Sequence, residues 1–177
     1  MGPEFSTDQL HLRYWEAEDV DAILAIYSQW EVARYLGRTP KAMTGRGEAE
    51  AALARWTAFS DGRFGVWAIV PYGEDDPVGS LLLKELPLSG ESGPSGDIEI
   101  GWHLRPEAWG RGYATEAATR VLEHAWTLGL DEVFAVTYPE NTPSQAVCLR
   151  LGMSPLGPTE RYYDVTCELF RIARPVD

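Results

Sequence analysis

The stretch PEAWGRGYATEA, Pro106–Ala117, sets Gly110, Gly112 and Ala114 at alternate positions where a helical pattern begins. Glycine costs a helix roughly 1 kcal/mol relative to alanine, so glycines at a start site imply that the backbone itself approaches a ligand. A helix start leaves its first amides unpaired and carries the positive end of the helix dipole, a combination that binds anions. The amides of Gly110, Arg111, Gly112, Tyr113 and Ala114 thus form a candidate phosphate site. Just upstream, alternation in IEIGWHL puts Glu99, Gly101 and His103 on one strand face and Ile98, Ile100, Trp102 and Leu104 on the other. A carboxylate among apolar neighbours has a raised pKa and can accept a proton, directly or through water; the plainer reading of Glu99 is a solvent-facing strand residue. His103 can assist such a base or be a hydrogen-bonded strand histidine, while His11 and His124 read as structural or exposed.

The better-known glycine loops do not fit. No Gly-Lys pair occurs in the chain, so the triphosphate loop GxxxxGK[ST] is missing. The dinucleotide fingerprint GxGxxG fails where Thr115 replaces its third glycine, and RPEAW separates the strand from the turn. Cys148 and Cys167 have neither CxxC spacing nor a histidine cluster, which predicts reduced thiols in a cytoplasmic protein and no metal site. Cys148 reads as a small core residue rather than a nucleophile. Fifteen basic against 27 acidic residues leave a net charge of −12, which repels nucleic-acid backbones and favours cationic partners by long-range attraction. No apolar run is long enough to span a bilayer, so no membrane partner is expected.

A length of 177 residues favours one compact domain. MGPEF has no basic n-region or apolar h-region and reads as a cloning scar, so residues 1–6 are set outside the fold as disordered. Gln9–Trp15 reads as a first strand, followed by a helical pattern through Val20, Ile23, Leu24 and Tyr27, and a second helix around Glu48–Phe59. Phe64–Val70 and Val78–Leu86 read as strands joined by the polar turn YGEDDP. Pro87–Gly96, rich in Gly, Ser and Pro, reads as an exposed, mobile hairpin connection. Strand Ile98–Leu104, a helix to about Leu128 and strand Val133–Tyr138 make a βαβ unit. A short helix follows over Pro143–Leu151, with Thr142 as its cap and Gly152 past its end. Segments near Arg161–Val165 and Cys167–Ala173 read as closing strands. Trp56 and Trp67 read as core.

Taken together, IEIGWHL, RPEAWGRGYA, TEAATRVLEHA, VFAVTY and PENTPSQAVCLRLGM resemble the core of the GNAT superfamily of N-acetyltransferases. Within it, the chain is most similar to the ribosomal-protein alanine N-acetyltransferase (RimJ/RimL-like) branch. The resemblance follows nearly the whole chain in element order. It implies an α/β single-domain fold over residues 7–177, with a mixed, mostly antiparallel twisted sheet of about six to seven strands. Helices would cover both faces, and the fourth and fifth strands, Ile98–Leu104 and Val133–Tyr138, would splay apart. The cosubstrate implied is acetyl-CoA, its pyrophosphate on Gly110–Ala114 and its pantetheine arm along the backbone of Trp102, His103 and Leu104. Trp109 stands where many members carry Gln or Arg. Asn141 matches the asparagine that contacts the arm, and equally reads as a turn residue before Pro143.

Acetyl transfer from a thioester to an amine needs a neutral amine, a stabilised oxyanion and a proton for the departing thiolate. Glu99 is the candidate base. Many members place a tyrosine acid where this chain has Cys148, so Ser144 is the candidate to protonate or hold the thiolate, with helix capping as its alternative role. Trp30, Arg34 and Tyr35 in WEVARYLG resemble the branch's substrate-lining segment. Arg34 can bind a substrate carboxylate or pair with a surface acid. The acceptor implied is a protein or peptide N-terminal amine; the net charge keeps a small cationic amine, such as an antibiotic or polyamine, in view. Another acyl donor, a non-catalytic acyl-CoA sensor and a homodimer are left open.

Overall fold

Strand alternation sorts each strand's residues onto one of two helical layers. A computed structural model describes residues 2–90 and 93–176. Its strands are β1 (Phe5–Ser6), β2 (Leu10–Tyr14), β3 (Gly65–Pro71), β4 (Gly79–Pro87), β5 (Pro94–Leu104), β6 (Glu132–Thr137), β7 (Ser154–Thr159) and β8 (Cys167–Ala173). They form one eight-stranded sheet in the order β1-β2-β3-β4-β5-β6-β8-β7. Every neighbouring pair is antiparallel except β5 and β6. That parallel pair meets at a single register position, Glu99 opposite Phe134, whereas β5 is laddered to β4 along most of its length. The expected splay is therefore present between β5 and β6.

The helices are α1 (Val20–Tyr27), α2 (Trp30–Ala33), α3 (Arg46–Phe59), α4 (Tyr113–Thr127) and α5 (Thr142–Arg150). On one sheet face Ile98, Ile100 and Leu104 pack with Leu81, Leu83 and the α4 alanines Ala114, Ala117 and Ala118. Small residues along α4 let it lie close to the strands. On the other face Leu82, which is opposite Gly101, packs with Tyr27, Ala49, Ala52 and Trp56 of α1 and α3. Glu99 and its cross-strand partner Lys84 share that second face with Ser80 and His103.

The sheet exceeds the expected six to seven strands because β1 extends one edge, while at the other edge the strand forms earlier in the chain than expected. Phe5–Ser6, expected to lie outside the fold, pairs with Leu12 and His11. Phe5 is buried against Trp67 and His124, at ring distances of 5.6 and 5.1 Å, and Trp67 donates its indole N–H to the carbonyl of Pro3. At the far edge, β7 occupies Ser154–Thr159, and the segment expected as a strand over Arg161–Val165 is instead a turn. There Tyr163 and Asp164 adopt φ of 61° and 54°. Pro87–Gly96 does connect an antiparallel hairpin, with β5 beginning at Pro94; Glu91 and Ser92 of that connection lie outside the described residues. The cap of α5 is Asn141 rather than Thr142, its side-chain oxygen accepting from the Ser144 amide at 3.4 Å. Among the described residues no helix is long and apolar enough to cross a membrane.

Truncating Phe5 to alanine removes an aromatic ring from a packed core, so the urea midpoint of the Phe5→Ala protein should fall by the equivalent of about 3 kcal/mol. An unchanged midpoint would return the first strand to the status of an appendage.

Candidate active site

The splay opens a cleft of about 1110 Å³. Trp102, Leu104, Tyr113 and Ala114 line it from the α4 side, and Tyr27, Trp56, Leu82 and Glu99 line it from the α1–α3 side. The cleft thus passes through the sheet where β5 and β6 part.

The glycine turn sits on the first of these walls. Gly110 and Gly112 adopt φ of 73° and 81°, a left-handed backbone that disfavours any residue with a Cβ. Gly112 caps α4, and its carbonyl accepts from the Glu116 amide at 3.0 Å, the first bond of the helix. The amides of Tyr113, Ala114 and Thr115 precede that bond and have no acceptor inside the helix. A Cβ built on either glycine would meet no protein atom within 4 Å. The glycines therefore answer a conformational demand, and the space above them belongs to the cleft rather than to a packed neighbour. Trp109 donates its indole N–H to the Leu104 carbonyl at 2.8 Å, fixing the turn to the end of β5. The side chain of Arg111 turns to Glu74, 3.9 Å away.

Glu99 is buried rather than solvent-facing, and lines the cleft. Burial pushes its pKa up, opposed by the Lys84 ammonium at 3.3 Å and by the Tyr163 hydroxyl, which donates to it. Lys84 also lies 5.0 Å from the centre of the Tyr163 ring. Neither Lys84 nor Tyr163 was picked out by the sequence reading. Lys84 had a signal, because a charge on each strand of the predicted hairpin invites a cross-strand pair. Tyr163 had none, since its approach depends on the turn between β7 and β8. His103 is pushed down to about 4 by burial, with Lys84 adding to the effect, so it is neutral at pH 7. Its Nδ1 lies 3.0 Å from the Tyr27 hydroxyl, which also bonds Ser80 at 2.8 Å. His103 is thereby a hydrogen-bonded strand histidine on the cleft wall.

Asn141 and Ser144 both line the cleft at the start of α5. Capping engages the Asn141 oxygen and leaves its side-chain NH₂ as a donor. Thr137, at the end of β6, lines the same space and has a buried hydroxyl without a partner among the described residues. Arg34 and Tyr35 line the cleft, but Trp30 does not. The four-residue α2 buries Val32 and Ala33 and turns Trp30 outward, 54% exposed. The expected grouping of Trp30 with Arg34 and Tyr35 therefore fails at Trp30.

Against known proteins, residues 9–154 match the acetyltransferase (GNAT) domain family. The chain belongs to the GNAT acetyltransferases. It is 28% identical over 164 residues to an uncharacterized N-acetyltransferase, YoaA, of Bacillus subtilis, covering 92% of this chain and 89% of that one. Its fold resembles Mycobacterium smegmatis RimJ in complex with CoA-disulfide, at a TM-score of 0.78 and 24% identity over 98% of this chain and 90% of that one. It also resembles RimL, a ribosomal alpha-N-protein acetyltransferase in complex with coenzyme A, at a TM-score of 0.77 and 15% identity over 97% and 98% of the two chains. This GNAT protein is accordingly an N-acetyltransferase. Its open glycine turn, its unpaired helix amides and the orphan Thr137 hydroxyl are donors of the type that a phosphorylated, amide-bearing ligand such as CoA needs.

Cys148 is fully buried and its thiol is pushed up to about 12 by burial, which keeps it protonated and inert at neutral pH. Iodoacetamide at pH 8 should leave Cys148 unmodified in the native protein and alkylate it in strong denaturant, as read by peptide mass spectrometry. Rapid native labelling would reopen covalent catalysis.

Proposed function

We propose that this GNAT protein moves an acetyl group from acetyl-CoA to the N-terminal amine of a protein or peptide, with Glu99 as general base. The observation that carries this reading is a buried carboxylate on the cleft wall, across the opened sheet from the amides that begin α4. When bound, the donor supplies its acetyl group as a thioester, which a neutral amine can attack. The amides at Gly110–Ala114 hold the pyrophosphate, with Gly110 and Gly112 providing the left-handed turn. The backbone of Trp102, His103 and Leu104 and the free NH₂ of Asn141 hold the pantetheine arm.

On the acceptor face, Glu99 takes one proton from the incoming ammonium, directly or through water, and so yields the neutral nucleophile. It must be ionised to do so. Burial works against that, while Lys84 and Tyr163 work for it. Ser144, in the first turn of α5, donates a hydrogen bond to the departing sulfur; a serine hydroxyl is a weak acid, so this role is one of holding charge and relaying a proton. The neutral His103 at pH 7 holds Tyr27 in place. A protein N-terminus fits the reading better than a generic amine because the fold is shared with an alpha-N-protein acetyltransferase.

Replacing Glu99 by glutamine should lower kcat by about 100-fold, in the range of a lost general base, with acetyl-CoA affinity retained. Wild-type turnover at neutral pH would sink Glu99 as base, and acyl-CoA binding without thiol release on any amine would support a sensor instead. Because the active form is the carboxylate, kcat/KM should fall as pH drops through the Glu99 pKa. Lys84→Met removes the stabilising cation and should move that acid limb to higher pH; an unmoved limb would show that another group sets it.

At the glycine turn, Gly112→Val forces a β-branched residue to a φ of 81°. Calorimetric titration should then show CoA affinity lost while the thermal transition remains cooperative. Retained affinity would refute the pyrophosphate site.

A further inference from the structure

The charge of the cleft runs against the charge of the chain. The whole protein carries −12, yet the cleft is lined by five cations, Arg34, Lys41, Arg55, Lys84 and Arg150, and by two carboxylates, Glu31 and Glu99. Three of the cations are already engaged. Lys41 pairs with Glu48 at 2.6 Å, Lys84 with Glu99 at 3.3 Å, and Arg150 bonds the Thr115 hydroxyl at 3.3 Å beside the start of α4. Arg34 and Arg55 remain, and among the described residues neither has an acidic partner within 4.0 Å. Among the described residues Arg34 therefore has no surface acid as its partner.

Both guanidiniums belong to the acceptor side. Arg55 lies on α3, which packs on the sheet face that bears Leu82 and Glu99, and it lines the cleft from that side. Arg34 lies over the Tyr35 ring at 4.5 Å, and that ring stands 6.3 Å from Tyr138 at the end of β6. Stacking fixes the plane of a guanidinium and leaves its edge donors free, which is the arrangement that receives a carboxylate in two parallel hydrogen bonds. Among the described residues Glu31, on the same wall, also has no ion-pair partner within 4.0 Å. One carboxylate against two guanidiniums leaves a local excess of positive charge, which repels a polyamine at contact. Screening over about 8 Å at physiological salt confines the distant acidic surface to a weak, long-range influence.

We propose that the acceptor of this enzyme is an amine that also carries a carboxylate, recognised by Arg34 and Arg55. For the N-terminal acceptor on which this rests, the carboxylate belongs to an Asp or Glu side chain in the first few residues. The reacting amine goes to Glu99, and the acidic group goes to the edge of the cleft that Arg34 and Arg55 line, the two single variants telling which guanidinium receives it. Spermidine-like and aminoglycoside-like amines are then poor acceptors, despite the acidity of the chain.

The test follows thiol release with acetyl-CoA and three peptides that share an N-terminal Ser and differ at positions two and three as Glu-Glu, Ala-Ala or Lys-Lys. Glutamate and spermidine serve as small acceptors. The expected result is a kcat/KM about tenfold higher for the Glu-Glu peptide than for the Ala-Ala peptide, carried by KM, from one charge-assisted contact. Arg34→Ala and Arg55→Ala should each shrink that preference towards unity through KM for the acidic peptide, and Arg34→Glu should turn the preference towards Lys-Lys. Affinity for acetyl-CoA should hold in all three variants; a parallel loss of CoA affinity would assign the guanidiniums to the donor and overturn the proposal. Equal turnover of the three peptides overturns it while leaving the N-terminal reading intact. Turnover of glutamate but of no peptide keeps the carboxylate and overturns the N-terminal reading. Turnover of spermidine alone, or of nothing, overturns both.

Discussion

Among the described residues the ladder between β5 and β6 consists of a single register pair, Glu99 opposite Phe134. Beyond it the facing edges of β5 and β6 lose each other, and buried backbone groups without partners are costly unless a ligand or water takes them up. That constraint organises what lies nearby. Helix α4 leaves the C-terminal end of β5 and must return to start β6, so its first turn stands at the mouth of the opening. Helix α5 begins where β6 ends and brings Asn141 and Ser144 to the same place. Glu99 occupies the point of divergence itself, held from the other side by the full ladder to β4 that carries Lys84.

The parts of this arrangement that were legible in the sequence are local ones. Alternation in IEIGWHL separates an apolar face, which meets α4, from a polar face bearing Glu99 and His103, and the structure keeps that division. The glycine turn was legible for the same reason, although its demand proves to be one of backbone conformation. The edges were not. The segment SPLGPT carries two prolines and a glycine and looks like a loop; it is tolerated as strand β7 because it bonds to β8 on one side only. Conversely, RYYDV is aromatic and β-branched, as strands are, yet it turns through two left-handed residues. That turn carries Tyr163 to Glu99 across 64 positions of sequence, a contact that no local pattern encodes.

Trp30 shows the same limit from another direction. Its position in WEVARYLG placed it with Arg34 and Tyr35, but the burial of Val32 and Ala33 decides which side of α2 faces inward, and Trp30 is on the other. The membership of the family follows from the matched core, whereas the cleft wall built by α1, α2 and α3 depends on packing in which side chains meet only through tertiary structure.

The short α2 carries a consequence for how such an enzyme can change. At four residues it makes few internal hydrogen bonds, and it buries just Val32 and Ala33. The backbone at the start of α4 and along β5 is built into elements that carry the core, and it cannot be altered without disturbing that packing. Between Ser28 and Gly45 the buried residues are Val32 and Ala33, so a laboratory library confined to the exposed positions of that segment varies one wall of the cleft at little risk to the core.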